Sequence, residues 1–101
     1  LAIKSFKDKD TAAAFAELPV RAHPPDIRKR ALAKLQQLNA AMTLNDLKVP
    51  PGNKLEALVD DRLGQHSIRI DKQWQICFVF GKDGVYDAEI SKHYDRVRGN
   101  R

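Results

Sequence analysis

At 101 residues, 43% of them apolar, the chain is sized for a single domain with a modest core. No stretch approaches the roughly 20 apolar residues that cross a bilayer, and the opening Leu1-Ala2-Ile3-Lys4-Ser5-Phe6 is too soon interrupted for a signal peptide. The single cysteine, Cys77, excludes an internal disulfide framework and suits a reducing cytoplasm, and a net charge of +5 favours an anionic partner, nucleic acid or an acidic protein segment. Residues 1–50 carry nine basic and five acidic side chains, whereas residues 51–101 carry nine and eight, so the excess lies in the first half.

In chain order, Ile3 to Phe6 alternates apolar and polar residues as a short strand does. The alanine-rich segment from Lys9 to Leu18 predicts a helix, with Asp10 or Thr11 as its cap and Phe15 and Leu18 on one face; Pro19 stops it. After the break at His23-Pro24-Pro25-Asp26, where Asp26 is placed to cap, apolar residues recur at Ile27, Ala31, Leu35, Leu38 and Met42. Steps of three and four make one stripe of an amphipathic helix ending near Ala41. Arg28, Lys29, Arg30 and Lys34 fall off the stripe, either as a solvated face or as a surface for RNA or a partner.

Thr43 to Leu47 reads as a short helical turn and Pro50-Pro51-Gly52-Asn53 as a rigid turn. The period then changes. Leu55 to Val59 and His66 to Ile70 predict strands around a turn at Asp60 to Gly64, with His66 and Arg69 facing outward. Trp74 to Phe80 is the most β-prone stretch, and Gly81 to Gly84 closes a hairpin into Val85 to Ile90. Cys77 sits in that apolar run as a buried inert thiol, and Trp74 as a sheet-packing residue. Helices grouped ahead of a meander predict an α+β domain over residues 1–94, with both helices on one face of an antiparallel sheet. Residues 95–101 form a basic tail expected to be poorly ordered.

The sequence has no phosphate-binding glycine loop, no paired-cysteine or paired-histidine metal motif, and no serine in a nucleophile elbow. No cofactor or metal is expected. What remains suits metal-independent RNA cleavage. There a base takes the proton of a ribose 2′-hydroxyl, cations stabilise the phosphorane, and an acid protonates the leaving oxygen. Arg69 can hold a phosphate with two parallel hydrogen bonds. Lys92-His93-Tyr94 supplies a cation, an imidazole and a phenol at the end of the last strand, or else is only a solvated strand end.

Three ordered stretches carry a resemblance: Pro50-Pro51-Gly52-Asn53-Lys54-Leu55-Glu56-Ala57-Leu58; Asp61-Arg62-Leu63-Gly64-Gln65-His66-Ser67-Ile68-Arg69-Ile70; and Gln73-Trp74-Gln75-Ile76-Cys77-Phe78. With Ile3-Lys4-Ser5-Phe6 and Asp87-Ala88-Glu89-Ile90, they resemble HigB toxins of the RelE/ParE superfamily from about residue 3 to 94. The resemblance implies a RelE-like fold and a toxin that cleaves mRNA in the ribosomal A site of the 70S ribosome without metal. It also implies a HigA-type helix-turn-helix antitoxin as partner, with operator DNA contacted only through the toxin–antitoxin complex, and a cytoplasmic location away from membranes.

Carried over by position, Arg69, Arg62, Lys54 and Lys72 would hold the RNA backbone, while His93, Tyr94, Lys92, Glu56 and Gln75 would surround the scissile phosphate. Glu56 falls where some relatives carry a catalytic histidine; it is equally placed to pair with a lysine. Two departures matter. The usual Asp-Tyr-His reads Lys92-His93-Tyr94 here, and the usual arginine between tryptophan and isoleucine is Gln75, which cannot neutralise a phosphorane. They raise the alternative of a weakened toxin homologue kept for binding its antitoxin and operator, or of a ParE-like inhibitor of a protein target.

Overall fold

A computed structural model describes residues 1–92; His93, Tyr94 and the predicted tail at 95–101 lie outside the described residues. Two helices, α1 (Lys9–Phe15) and α2 (Pro25–Ala40), precede four strands, β1 (Glu56–Ala57), β2 (His66–Arg69), β3 (Trp74–Phe80) and β4 (Val85–Lys92). The strands form one antiparallel sheet in sequence order.

Helix α1 starts one turn earlier than a cap at Thr11 would allow. The Asp8 carboxylate accepts the Thr11 N–H at 2.7 Å and so satisfies one of the free amides of the first turn. Thr11 itself is fully buried, and its hydroxyl oxygen accepts the Ile90 N–H at 2.9 Å, tying α1 to the outer edge of β4. The helix ends at Phe15, before Pro19, because Glu17 takes a left-handed φ of 64°. Leu18 therefore leaves the face it was expected to share with Phe15 and is 59% exposed.

Pro24 caps α2 and Pro25 takes its first position, where a missing N–H costs nothing, and Asp26 lies in the first turn rather than at the cap. Ile27, Ala31, Leu35 and Leu38 are all buried, as their spacing predicts. Met42 is not: Ala41 turns extended (ψ 136°), so the next residue loses the helical phase and stands 69% exposed.

The α2 stripe packs on Ile68, Ile76, Phe78, Ala88 and Ile90, which together form the core. Each fully buried large side chain contributes roughly 1.5–3 kcal/mol, so this layer is what fixes the sheet against the helix. The opening segment adds a parallel flank to β4 through bridges Ile3–Val85 and Phe6–Ala88. Its passage explains Gly84, where an added Cβ would stand 2.4 Å from the Lys4 side chain and 3.0 Å from the Ala2 carbonyl. The predicted strand at Leu55 to Val59 shrinks to two paired residues, because Asp60 (φ 56°) turns the chain into a 3₁₀ turn at Asp60–Arg62.

His23, only 5% exposed, sets its ring edge-on to Trp74 at 5.9 Å. Burial lowers its pKa below the ordinary 6.5, while Asp10 and Asp8 partly oppose the shift and Arg28 adds to it. The folded state therefore binds fewer protons than the unfolded chain just below pH 6.5, so stability is full above that value and falls as pH drops through it. Urea unfolding followed over about pH 5 to 8 should show this decline, and His23→Phe should flatten it; an unchanged slope in the variant would remove His23 as its source.

Candidate active site and nucleic-acid interface

Cross-strand register decides which side chains meet, because directly paired residues project to the same side of a sheet. Ile68, Ile76 and Ile90 are paired in one line and face the helices. Their neighbours in sequence therefore face the other way. Arg69, Gln75 and Ser91 make one row on this open face, and Glu56, Ser67, Cys77 and Glu89 make the next.

The floor of the second row is closed: Ser67 and Cys77 are buried, and the Cys77 sulfur lies 3.7 Å from the Ser91 hydroxyl. Burial raises the thiol pKa, with Ser91 and Arg62 opposing, so Cys77 is a protonated, unreactive group as expected. Arg62 reaches over this floor. Its Nη1 donates to the Glu89 carboxylate at 3.1 Å and to Gln65 Oε1 at 3.0 Å, the single ion pair among the described residues. Arg62 thus arrives on the open face already partly neutralised.

Arg69 is half-exposed and carries no ion pair among the described residues. It borders a cavity of about 530 Å³ at the end of the sheet, together with Lys72 from the loop between β2 and β3. Lys54 is exposed and holds a left-handed conformation (φ 47°) two residues before Glu56, the first residue of β1, and Glu56 is exposed at the sheet edge, in register with Ser67.

Lys92 goes elsewhere. It pairs with Trp74, and its ammonium stands 5.8 Å from the centre of the Trp74 ring, a cation–π contact on the helix side of the sheet. Alternation from Ile90 already implies this side. Trp74 packs against the core, as its sequence context suggests. The structure therefore brings Arg69, Gln75, Arg62 and Glu56 to one face, sets Lys72 and Lys54 at its margins, and turns Lys92 away; His93 and Tyr94 lie outside the described residues.

His66, expected to face outward, shares the parity of Ile68 and stacks on Phe78 at 6.3 Å. Its Nδ1 is buried with no hydrogen-bond partner among the described residues. Glu89 and Ser91 join the site without having been expected there. Their signal is the alternation of β4, in which Ala88 and Ile90 point inward and leave both on the open face.

The motif Pro50 to Asn53 has a structural explanation. Asn53 is fully buried; its Nδ2 donates to the Leu47 carbonyl at 3.0 Å and to Gln37 Oε1 at 3.2 Å, while its Oδ1 accepts from Lys34. Burial, and then the charge of Arg30, lowers the Lys34 pKa. Among the described residues no cluster of histidine, cysteine or carboxylates suits a metal ion, and no helix is long and apolar enough to cross a membrane.

Residues 4–93 match the family described as the RelE-like toxin of the type II toxin-antitoxin system HigB. Among curated proteins, Toxin HigB-1 of Vibrio cholerae is 40% identical over 62 residues, 61% of this chain and 64% of that protein, so the match spans somewhat under two thirds of the relative. An uncharacterised protein of Haemophilus influenzae is 31% identical over 70 residues, covering 69% of each chain. Among solved structures, the YoeB-YefM complex from Staphylococcus aureus superposes with a TM-score of 0.59 at 14% identity, covering 93% of this chain and 100% of the matched one. That likeness concerns the fold.

Proposed function

The chain belongs to the HigB family of RelE-like toxins from type II toxin-antitoxin systems, and from that premise we propose that it is a metal-independent endoribonuclease cutting mRNA in the ribosomal A site. The observation that carries this reading is the polar row Arg69–Gln75–Ser91, lying beside Arg62–Glu89 on the face of the sheet that the helices leave uncovered. Arg69 holds the phosphate in its guanidinium fork and stabilises the charge that builds on the phosphorane. Glu56, His93 and Tyr94 supply the proton transfers. One group removes the 2′-hydroxyl proton as O2′ attacks phosphorus, and another donates to the departing 5′-oxygen. Lys54, Arg62 and Lys72 draw in the RNA backbone. The proposed setting is the cytoplasm, with a helix-turn-helix antitoxin as partner and operator DNA reached only through that complex.

A second reading is favoured by two observations: Gln75 brings no charge to the row, and Lys92 is stacked on Trp74 on the opposite side. Under it the chain binds its antitoxin and operator complex without cleaving RNA.

Inducing the isolated chain and mapping mRNA ends by primer extension separates the two. The nuclease reading expects growth arrest with new mRNA ends, both lost in the His93→Ala/Tyr94→Phe double variant; uncut mRNA and unimpaired growth would reject it. Gln75→Arg should increase cleavage about tenfold or more, since a restored cation at a phosphorane is worth roughly 1.5–3 kcal/mol. A decrease would show that glutamine is the adapted residue here.

A further inference from the structure

The cavity of about 530 Å³ beyond the end of the open face is built from three separate parts of the chain. Arg30 comes from the second turn of α2, Arg69 from the end of β2, and Lys72 from the loop that follows; Gly52, in the Pro51–Asn53 turn, completes the wall. None of the three cations forms an ion pair among the described residues. Asp71, the one acid in the wall, is occupied: its Oδ1 accepts the N–H groups of Gln73 and Trp74, both at 2.8 Å, and so shapes the loop that presents Lys72. The proximity of Arg30 is already felt at Lys34, whose pKa burial and that guanidinium lower. Asp71 offsets only part of the charge of Arg30, Arg69 and Lys72, so the wall stays net positive; the remaining like charges repel one another, and an anion relieves them.

We propose that this recess binds a second, non-scissile phosphate of the RNA strand, with Arg30 and Lys72 as its dedicated residues and Arg69 standing between it and the reacting row. The inference rests on the nuclease reading for the identity of the anion. Two guanidinium forks suit the tetrahedral oxygens of a phosphodiester, and the lysine adds a point charge. Arg69 belongs both to the row with Gln75 and to the recess wall, so a strand laid along the open face runs on into the recess. The recess therefore sets how far the strand advances before a given phosphate meets the reacting groups. Arg30 becomes a positioning residue, where the sequence alone leaves it on either a solvated helix face or a surface for RNA or a partner.

The test uses the full chain and a short RNA oligonucleotide carrying 2′-O-methyl groups, which binds but cannot be cut. Affinity is followed by fluorescence anisotropy across a salt series for wild type, Arg30→Gln, Lys72→Gln and the double variant. A fourth variant, Gly52→Asp, places a carboxylate at the wall; a Cβ there meets nothing within 4 Å, so the fold tolerates it. The double variant should bind about tenfold more weakly, with the slope of log affinity against log salt reduced by about 0.7, the value for one phosphate contact on a single strand. Gly52→Asp should move affinity in the same direction.

Unchanged affinity and slope in both variants would overturn the recess. So would a loss confined to binding of an acidic antitoxin segment, which would make the recess a protein-docking site. Wild type that binds the oligonucleotide with the expected variant effects, yet never cuts unmodified mRNA on ribosomes, supports the recess while rejecting the nuclease reading. Wild type that fails to bind the oligonucleotide rejects the recess.

Discussion

Asn53→Ala is expected to destabilise the protein by roughly 2–4 kcal/mol, more than any other single change at a polar residue of the Pro50 to Gln75 motifs. The side chain is fully buried and joins three segments: α2 through Lys34 and Gln37, the 3₁₀ turn Leu44–Lys48 through the Leu47 carbonyl, and its own turn Pro51–Asn53. Alanine leaves the Leu47 carbonyl without that donor and the Lys34 ammonium without that acceptor. An unsatisfied buried group costs about 1–3 kcal/mol, and the vacated volume adds to it. Thermal unfolding should fall by roughly 10–25 °C, at about 4–8 °C per kcal/mol for a domain of this size. Glu56→Ala, three residues on but exposed, should shift stability by less than about 0.5 kcal/mol. Equal effects at the two positions would refute the assignment of Asn53 to the framework. The contrast separates motif residues that hold the sheet edge in place from those exposed on its surface.

Arg69→Ala is expected to lower mRNA cleavage by roughly 100- to 1,000-fold while leaving the fold nearly as stable as before. Its strand hydrogen bonds are made by the backbone in register with Gln75, and its half-exposed side chain supports no ion pair among the described residues. Little structure therefore depends on the guanidinium. Under the proposed nuclease function much does chemically, because Gln75 is neutral, Arg62 is engaged with Glu89, and Lys92 stacks on Trp74 on the other side of the sheet. Arg69→Lys should recover only part of the activity, since an ammonium keeps the charge but not the paired hydrogen bonds. Cleavage of mRNA on programmed ribosomes measures both. Wild-type rates for Arg69→Ala would take Arg69 out of the reacting row, and equal rates for arginine and lysine would show that charge alone matters.

Several parts of this arrangement are legible residue by residue. The α2 stripe at Ile27, Ala31, Leu35 and Leu38 follows from its spacing alone, and Trp74 to Phe80 from its β-branched and aromatic content. Departures gather at element ends. Leu18 and Met42 continue an apolar period past the point where Glu17 and Ala41 leave helical geometry, and the period cannot register that change. His66 and Lys92 depart for another reason. Each shares the parity of a core isoleucine, Ile68 and Ile90, so alternation turns it inward although its polarity suggests the open face. Alternation in β4 puts Glu89 on the open face, but its pairing with Arg62, 27 positions away in the chain, leaves no local sign.

The sequence by itself determined the α+β class, the antiparallel order of the strands and the HigB lineage, because each rests on local period, turn chemistry or ordered motifs. Only the tertiary structure decided which polar side chains work together. Packing of α2 on Ile68, Ile76 and Ile90 turns one side of the sheet inward, and pairing register then carries Arg69, Gln75 and Ser91 to the other. The same packing brings Arg30 of α2 to the cavity wall beside Arg69 and Lys72. Charge is a property that composition counts, but a binding site is a property of distance, and distance between remote residues is set by the core.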